Sequence, residues 1–89
     1  MDATDLAAAF AAAAERATQL PVRPDPATLL RLYGLFKQAR SGDAAAAAPA
    51  LTDPVGRAKH AAWAGLRGMP ADAAMRAYIA LVDRLAGRG

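Results

Sequence analysis

Proline placement constrains this chain more than any other feature. Six prolines fall among 89 residues. Proline lacks a backbone N–H and its ring clashes with the preceding turn, so no helix continues undisturbed through it. Leu20-Pro21-Val22-Arg23-Pro24 therefore closes a first, alanine-rich segment. Asp25-Pro26 and Asp53-Pro54 open two later ones, because aspartate is a good N-cap and proline suits the first helical turn. Met69-Pro70 opens a fourth. The expected helices span about 4–19, 25–40, 53–67 and 70–86.

The apolar spacing inside these segments is helical. Leu6, Phe10, Ala14 and Ala17 lie three or four apart in the first. Leu29, Leu32, Tyr33 and Phe36 form a stripe in the second, which Ser41-Gly42 closes. The third carries Val55, Lys59, Trp63 and Leu66 and is expected to run to Gly68. The fourth presents Met75, Tyr78, Ile79, Val82 and Leu85. Residues 43–52 are expected to form a loop with one helical turn: the alanine tract favours helix, but Pro49 interrupts it. No strand alternation or Asn-Gly hairpin signal occurs. The reading is an all-α four-helix bundle, with residues 1–89 as one domain.

Several function classes have little support. With no cysteine, neither a disulfide framework nor a thiolate metal site is possible, which fits a reducing, cytoplasmic compartment. The acidic start Met1-Asp2-Ala3-Thr4-Asp5 is unlike a signal or transit peptide. The apolar run Leu6–Ala14 is far shorter than the ~20 residues of a membrane span, so no stable membrane insertion is expected. The net charge is +3, but nine of eleven cations are arginines scattered along the chain, without the clustered patch of a nucleic-acid binder. One serine (Ser41) and one histidine (His60) supply no nucleophile–base–orienter set, and a lone histidine is no metal site. Asp25, Asp53 and Asp72 are explained as helix-start residues. "GLRG" (Gly65–Gly68) lacks the Lys-Ser or Lys-Thr of a phosphate loop. No catalytic residue, metal or cofactor is expected.

Binding remains. Tyr33 and Lys37 are four apart and share a helical face, with Phe36 beside them; Lys59 and Trp63 repeat that spacing. Tyr78 lies on the fourth segment. Two lysines and rings from three helices suit a ligand with phosphates and a flat base. Aromatic residues at helical spacing are more often core, however, and on spacing alone Tyr33, Phe36 and Tyr78 read first as core aromatics with lysine stems passing over them.

A resemblance separates these readings. "LYGLFKQARSGD" (Leu32–Asp43), "GRAKHAAW" (Gly56–Trp63), "GLRG" (Gly65–Gly68) and "AMRAYIALVDRL" (Ala74–Leu85) resemble, in order and spacing, the motifs of acyl-CoA-binding proteins. The similarity runs from Phe10 to Leu85. It implies an up-down-down-up bundle with a long overhand connection between its second and third helices. It also implies non-catalytic binding, carriage and pooling of long-chain fatty acyl-CoA by a monomer that transiently meets acyl-CoA-using enzymes. Carried over by position, Tyr33, Lys37 and Lys59 hold the 3′-phosphate, Phe36 stacks on adenine, and Tyr78 joins that site. Leu29 and Leu30 match acyl-groove positions, and Phe10, Ala13 and Ala14 match first-helix positions near the ligand. Leu20, Ile79, Val82 and Leu85 match packing positions. The alternative function is a helical protein-interaction module without ligand.

The chain departs from that pattern at several places. Phe36 stands where many members have tyrosine, so a hydroxyl contact is lost. Arg40 occupies a usually small position, and His60 replaces an aromatic, usually tryptophan. Alanines 44–48 replace a more polar loop, and Pro24-Asp25-Pro26-Ala27 matches loosely.

Overall fold

The structure, a computed structural model, describes residues 2–45, 47, 49–50 and 52–87. It contains helices α1 (Ala3–Ala17), α2 (Pro26–Ser41), α3 (Pro54–Ala64) and α4 (Ala71–Leu85), with no strand among the described residues. Asp25 caps α2 by accepting from the Thr28 N–H at 2.8 Å, and Asp53 caps α3 through the Gly56 N–H at 2.9 Å. Asp2, which the segment reading passed over, caps α1 in the same way. Each cap satisfies one of the helix's orphan donors.

Contacts between helices fix their directions. Phe10 meets Tyr78 and Arg16 meets Asp83, so α1 and α4 run parallel. Phe36 meets Tyr78 while Gln38 reaches Met69, so α2 opposes α4. Lys59 lies over Tyr33 and Lys37 over Trp63, so α3 runs parallel to α2. The order is up-down-down-up, the arrangement that the resemblance implies.

The core joins α1, α2 and α4 through Phe10, Ala13, Leu32, Leu35, Ala39, Ala74, Tyr78 and Val82. α3 buries no residue fully and leans on α2 alone. The buried line of α2 is rotated from the stripe read in sequence. Leu32, Leu35, Gln38 and Ala39 face inward, whereas Tyr33 and Phe36 are half-buried on the flank. The two parallel helices approach closely at Gly34. A Cβ there would sit 2.7 Å from the Ala62 carbonyl oxygen.

Two helices stop earlier than their periodicity suggests. α1 ends at Ala17, where the Thr18 hydroxyl donates to the Glu15 carbonyl. α3 ends at Ala64, and tighter i→i+3 bonds then carry the chain through Leu66, Arg67 and Met69. This turn brings the Gly68 N–H to the Asp43 carboxylate at 2.8 Å. Asp43 Oδ1 also accepts from Gln38 Nε2 at 2.9 Å, and that same nitrogen donates to the Met69 carbonyl. Both partners of the amide are acceptors, so its NH₂ must face them. Gln38 and Asp43 thus tie the end of α2, the start of the linker and the α3–α4 turn into one joint.

Because α2 and α3 are parallel, their connection must travel back along α3. Gly42 begins that return with φ +73, a conformation that favours glycine. The described part of the linker is held by its carbonyls. Trp63 Nε1 donates to Gly42, Arg67 in the turn after α3 to Ala44, His60 Nε2 to Ala45 and Arg57 to Pro49. A carbonyl only accepts, so the His60 nitrogen carries the proton. His60, which stands where the family usually has an aromatic, is a half-buried donor to the linker. The expected helical turn at 44–48 falls partly outside the described residues, and those that are described, 44, 45 and 47, are not helical.

Gly34→Ala should lower the melting temperature by roughly 5–15 °C, because forcing α3 away from α2 outweighs the helix-propensity gain. Circular dichroism melts would read this; an unchanged or higher value would refute the close-approach constraint. Asp43 makes a second prediction. Its bonds from Gly68 and then Gln38 hold its carboxyl below the ordinary value of 3.8. The folded state therefore favours the charged form, and this stabilisation is present above that value and lost as pH falls through the folded one. Melting of Asp43→Asn should drop less between about pH 6 and about pH 3 than melting of the parent chain. Equal acid losses in both proteins would contradict it.

Candidate functional site

The flanks of α2 open onto two cavities. On one side Leu29, Leu30 and Tyr33 face Val55, Ala58 and Lys59 of α3 across a space of about 560 Å³. On the other, Leu29, Leu32, Tyr33 and Phe36 face Ala14 and Ala17 of α1 and Tyr78 of α4 across about 370 Å³. Leu29 and Tyr33 belong to both walls. Both volumes fall in the ~300–1,000 Å³ range of small-molecule sites.

Three cations on α2 and α3 rest on rings. Lys59 Nζ lies 5.4 Å from the centre of the Tyr33 ring, Lys37 Nζ lies 4.8 Å from that of Trp63, and the Arg40 guanidinium lies 5.4 Å from that of Phe36. Such contacts contribute ~0.5–1 kcal/mol at exposed sites. They position a cation without neutralising it, as a carboxylate would. Among the described residues the only ion pair is Arg16–Asp83 at 2.7 Å, on the α1–α4 seam.

Phe10, Phe36 and Tyr78 form a second group, with ring centres 5.1–5.9 Å apart. Tyr78 is buried, and burial alone raises its phenol above 10.0. It therefore remains a neutral hydroxyl at the wall of the smaller cavity. The structure pairs Tyr33 with Lys59 and Phe36 with Tyr78. Lys37 lies one turn beyond Tyr33 and lines neither cavity; it reaches Trp63 instead.

The expected acyl-groove set divides. Leu29 and Leu30 line the α2–α3 cavity, and Ala14 lines the other. Phe10 and Ala13 line neither: Phe10 is 7% exposed and Ala13 fully enclosed, both within the core. Their phase on α1 points them toward α4. Trp63, not assigned to the site from the sequence, donates its indole N–H to Gly42 and carries Lys37 on its ring. Its spacing from Lys59 was visible, but its partner Lys37 lies on another helix. Ala17 and Leu32 of the smaller cavity were read as helix-face residues only.

These features define a class of small helical bundle in which two cavities share one wall and, among the described residues, cations without an ion-pair partner lie beside it. Among the described residues, no helix is long and apolar enough to cross a membrane, and no cluster of three or more His, Asp or Glu could hold a metal. The family model for "Acyl CoA binding protein" matches residues 7–82. An acyl-CoA-binding protein homolog of Drosophila melanogaster is 43% identical over 79 residues, covering 89% of this chain and 92% of the relative. The acyl-CoA-binding protein of Saccharomyces cerevisiae is 40% identical over 76 residues, covering 85% and 87% respectively. The crystal structure of Oryza sativa acyl-CoA-binding protein 2 superposes with a TM-score of 0.89 at 33% identity, covering 94% of this chain and 91% of that one. The chain belongs to the acyl-CoA-binding protein family.

Burial of the Tyr78 phenol has a direct readout. The folded state favours the neutral form, so the associated stability is present below the ordinary value of 10.0 and falls above it as the unfolded chain ionises. Ultraviolet titration of the folded protein should show a late phenolate component that disappears in Tyr78→Phe. A late component persisting in that variant would place the buried phenol elsewhere.

Proposed function

We propose that this chain binds long-chain fatty acyl-CoA esters without chemistry and serves as an intracellular, monomeric carrier and pool for them. The observation that carries this reading is the set of unpaired cations seated on aromatic rings beside two cavities with a common wall. A CoA ester needs both features: an anionic nucleotide end and an apolar tail. Tyr33, Lys37 and Lys59 would hold the 3′-phosphate, with Phe36 stacking on the adenine and Tyr78 joining that site. The acyl chain would enter the α2–α3 cavity over Leu29 and Leu30, beside Val55 and Ala58. Family membership supports this reading over a ligand-free interaction module.

The two parts of the ligand would contribute differently. Tail burial supplies ~0.8 kcal/mol per CH₂, so affinity should rise with acyl length while the groove accommodates it. Lysine ammonium groups orient the phosphate as compact charges, and salt should weaken that contribution. Phe36 keeps the stacking surface but offers no hydroxyl.

Lys37→Ala and Lys59→Ala should each weaken palmitoyl-CoA binding roughly tenfold, as loss of a charge-assisted contact predicts, while circular dichroism remains helical. Titration calorimetry across acyl lengths, with free CoA and free palmitate as controls, would measure this. Unchanged affinity in both variants would remove the phosphate assignment. Saturable palmitate binding with no gain from the CoA moiety would overturn the reading as a whole.

A further inference from the structure

Arg40 follows Phe36 by one helical turn, and its guanidinium carbon lies 5.4 Å from the Phe36 ring centre. The side chain is exposed, and its guanidinium has no hydrogen bond or ion pair among the described residues. Phe36 is packed from the bundle side by Phe10 at 5.5 Å and Tyr78 at 5.9 Å. The guanidinium is thus the ring's solvent-side neighbour. A planar cation stacks on a purine as readily as on a phenyl ring, a property that lysine lacks.

We propose that Arg40 is a further ligand-contacting residue, which closes over the adenine of a bound CoA ester and holds the base between its guanidinium and Phe36. This rests on the proposed acyl-CoA site. Two successive contacts at ordinary carbon–carbon separation require about 7–8 Å between ring and guanidinium. The present 5.4 Å is too short for an inserted base, so the guanidinium withdraws by roughly 2 Å when the base enters. An exposed arginine on a long stem makes that movement by changing rotamer. The outer face that Arg40 provides offsets part of what Phe36 gives up by lacking a hydroxyl.

The test compares the parent protein with Arg40→Ala and Arg40→Lys by titration with palmitoyl-CoA and with S-palmitoyl-pantetheine, which lacks the adenine nucleotide. Arg40→Ala should bind palmitoyl-CoA roughly three- to tenfold more weakly, and Arg40→Lys should recover only part of the loss. Binding of palmitoyl-pantetheine should be the same in all three proteins. Equal or tighter palmitoyl-CoA binding by Arg40→Ala would overturn the proposal, since the guanidinium would then merely occupy the ring. Full rescue by lysine would overturn it as well, because charge alone would suffice. A loss shared by the pantetheine thioester would also count against it. If Lys37→Ala loses affinity while Arg40→Ala does not, only the Arg40 assignment falls. If the parent protein fails to bind palmitoyl-CoA, the underlying site reading falls with it.

Discussion

The close crossing of α2 and α3 at Gly34 sets the geometry on which the candidate site depends. The Ala62 carbonyl occupies the space where any other residue would carry a Cβ. Such an approach brings Tyr33 within reach of Lys59 and Lys37 within reach of Trp63, because both pairs flank the crossing. Since the helices are parallel, both pairs keep the same sense along the groove. α3 has no buried residue of its own, so little else dictates its position. Its separation from α2 is set at this contact and at the joint formed by Gln38, Asp43 and Gly68.

That joint explains how an alanine tract can serve as a structural connection. Alanine side chains offer little apolar surface to anchor a loop that must run the length of α3. The described stretch is held through backbone carbonyls instead, by Trp63, Arg67, His60 and Arg57. Side chains of α3 and of the turn that follows it therefore do the work that apolar loop residues would otherwise do. Backbone carbonyls of a loop need donors, and α3 with the turn after it supplies four of them.

Much of this was readable in the residues, for identifiable reasons. Helix starts follow local chemistry, so Asp25-Pro26 and Asp53-Pro54 marked real caps. The α3 end was misjudged because it depends on Asp43, far away in sequence, drawing in Gly68. The α2 stripe was read out of phase because counting apolar residues favours Tyr33 and Phe36 and rejects Gln38. Yet Gln38 is almost wholly buried, since its amide bridges two segments. Lys37 with Tyr33, and Lys59 with Trp63, were visible as pairs four residues apart. The structure exchanges the partners across helices, which no single-helix spacing reveals. A glycine inside a helix was the available signal for that crossing, because it is costly there without a packing reason. Phe10 and Ala13 were assigned to the groove by position in the family pattern, and their burial in the core follows from the parallel packing of α1 on α4.

The distribution of carboxylates completes the electrostatic picture. The chain has eight acidic residues. Asp2, Asp25 and Asp53 cap helices; Asp5 and Asp72 sit in first turns; Asp43 braces the joint; Asp83 pairs with Arg16. Only Glu15 has no such role, and it is exposed near the end of α1. Acids committed to helix ends and to the α1–α4 seam are not available to neutralise Lys37, Lys59 or Arg40. Aromatic rings hold those three cations in place of carboxylates, and a ring surrenders a cation to an anion at much smaller cost than a carboxylate would. The modest net charge of +3 therefore understates the field at the α2–α3 groove, where the arrangement of charges, and not their number, prepares the surface for an anionic ligand.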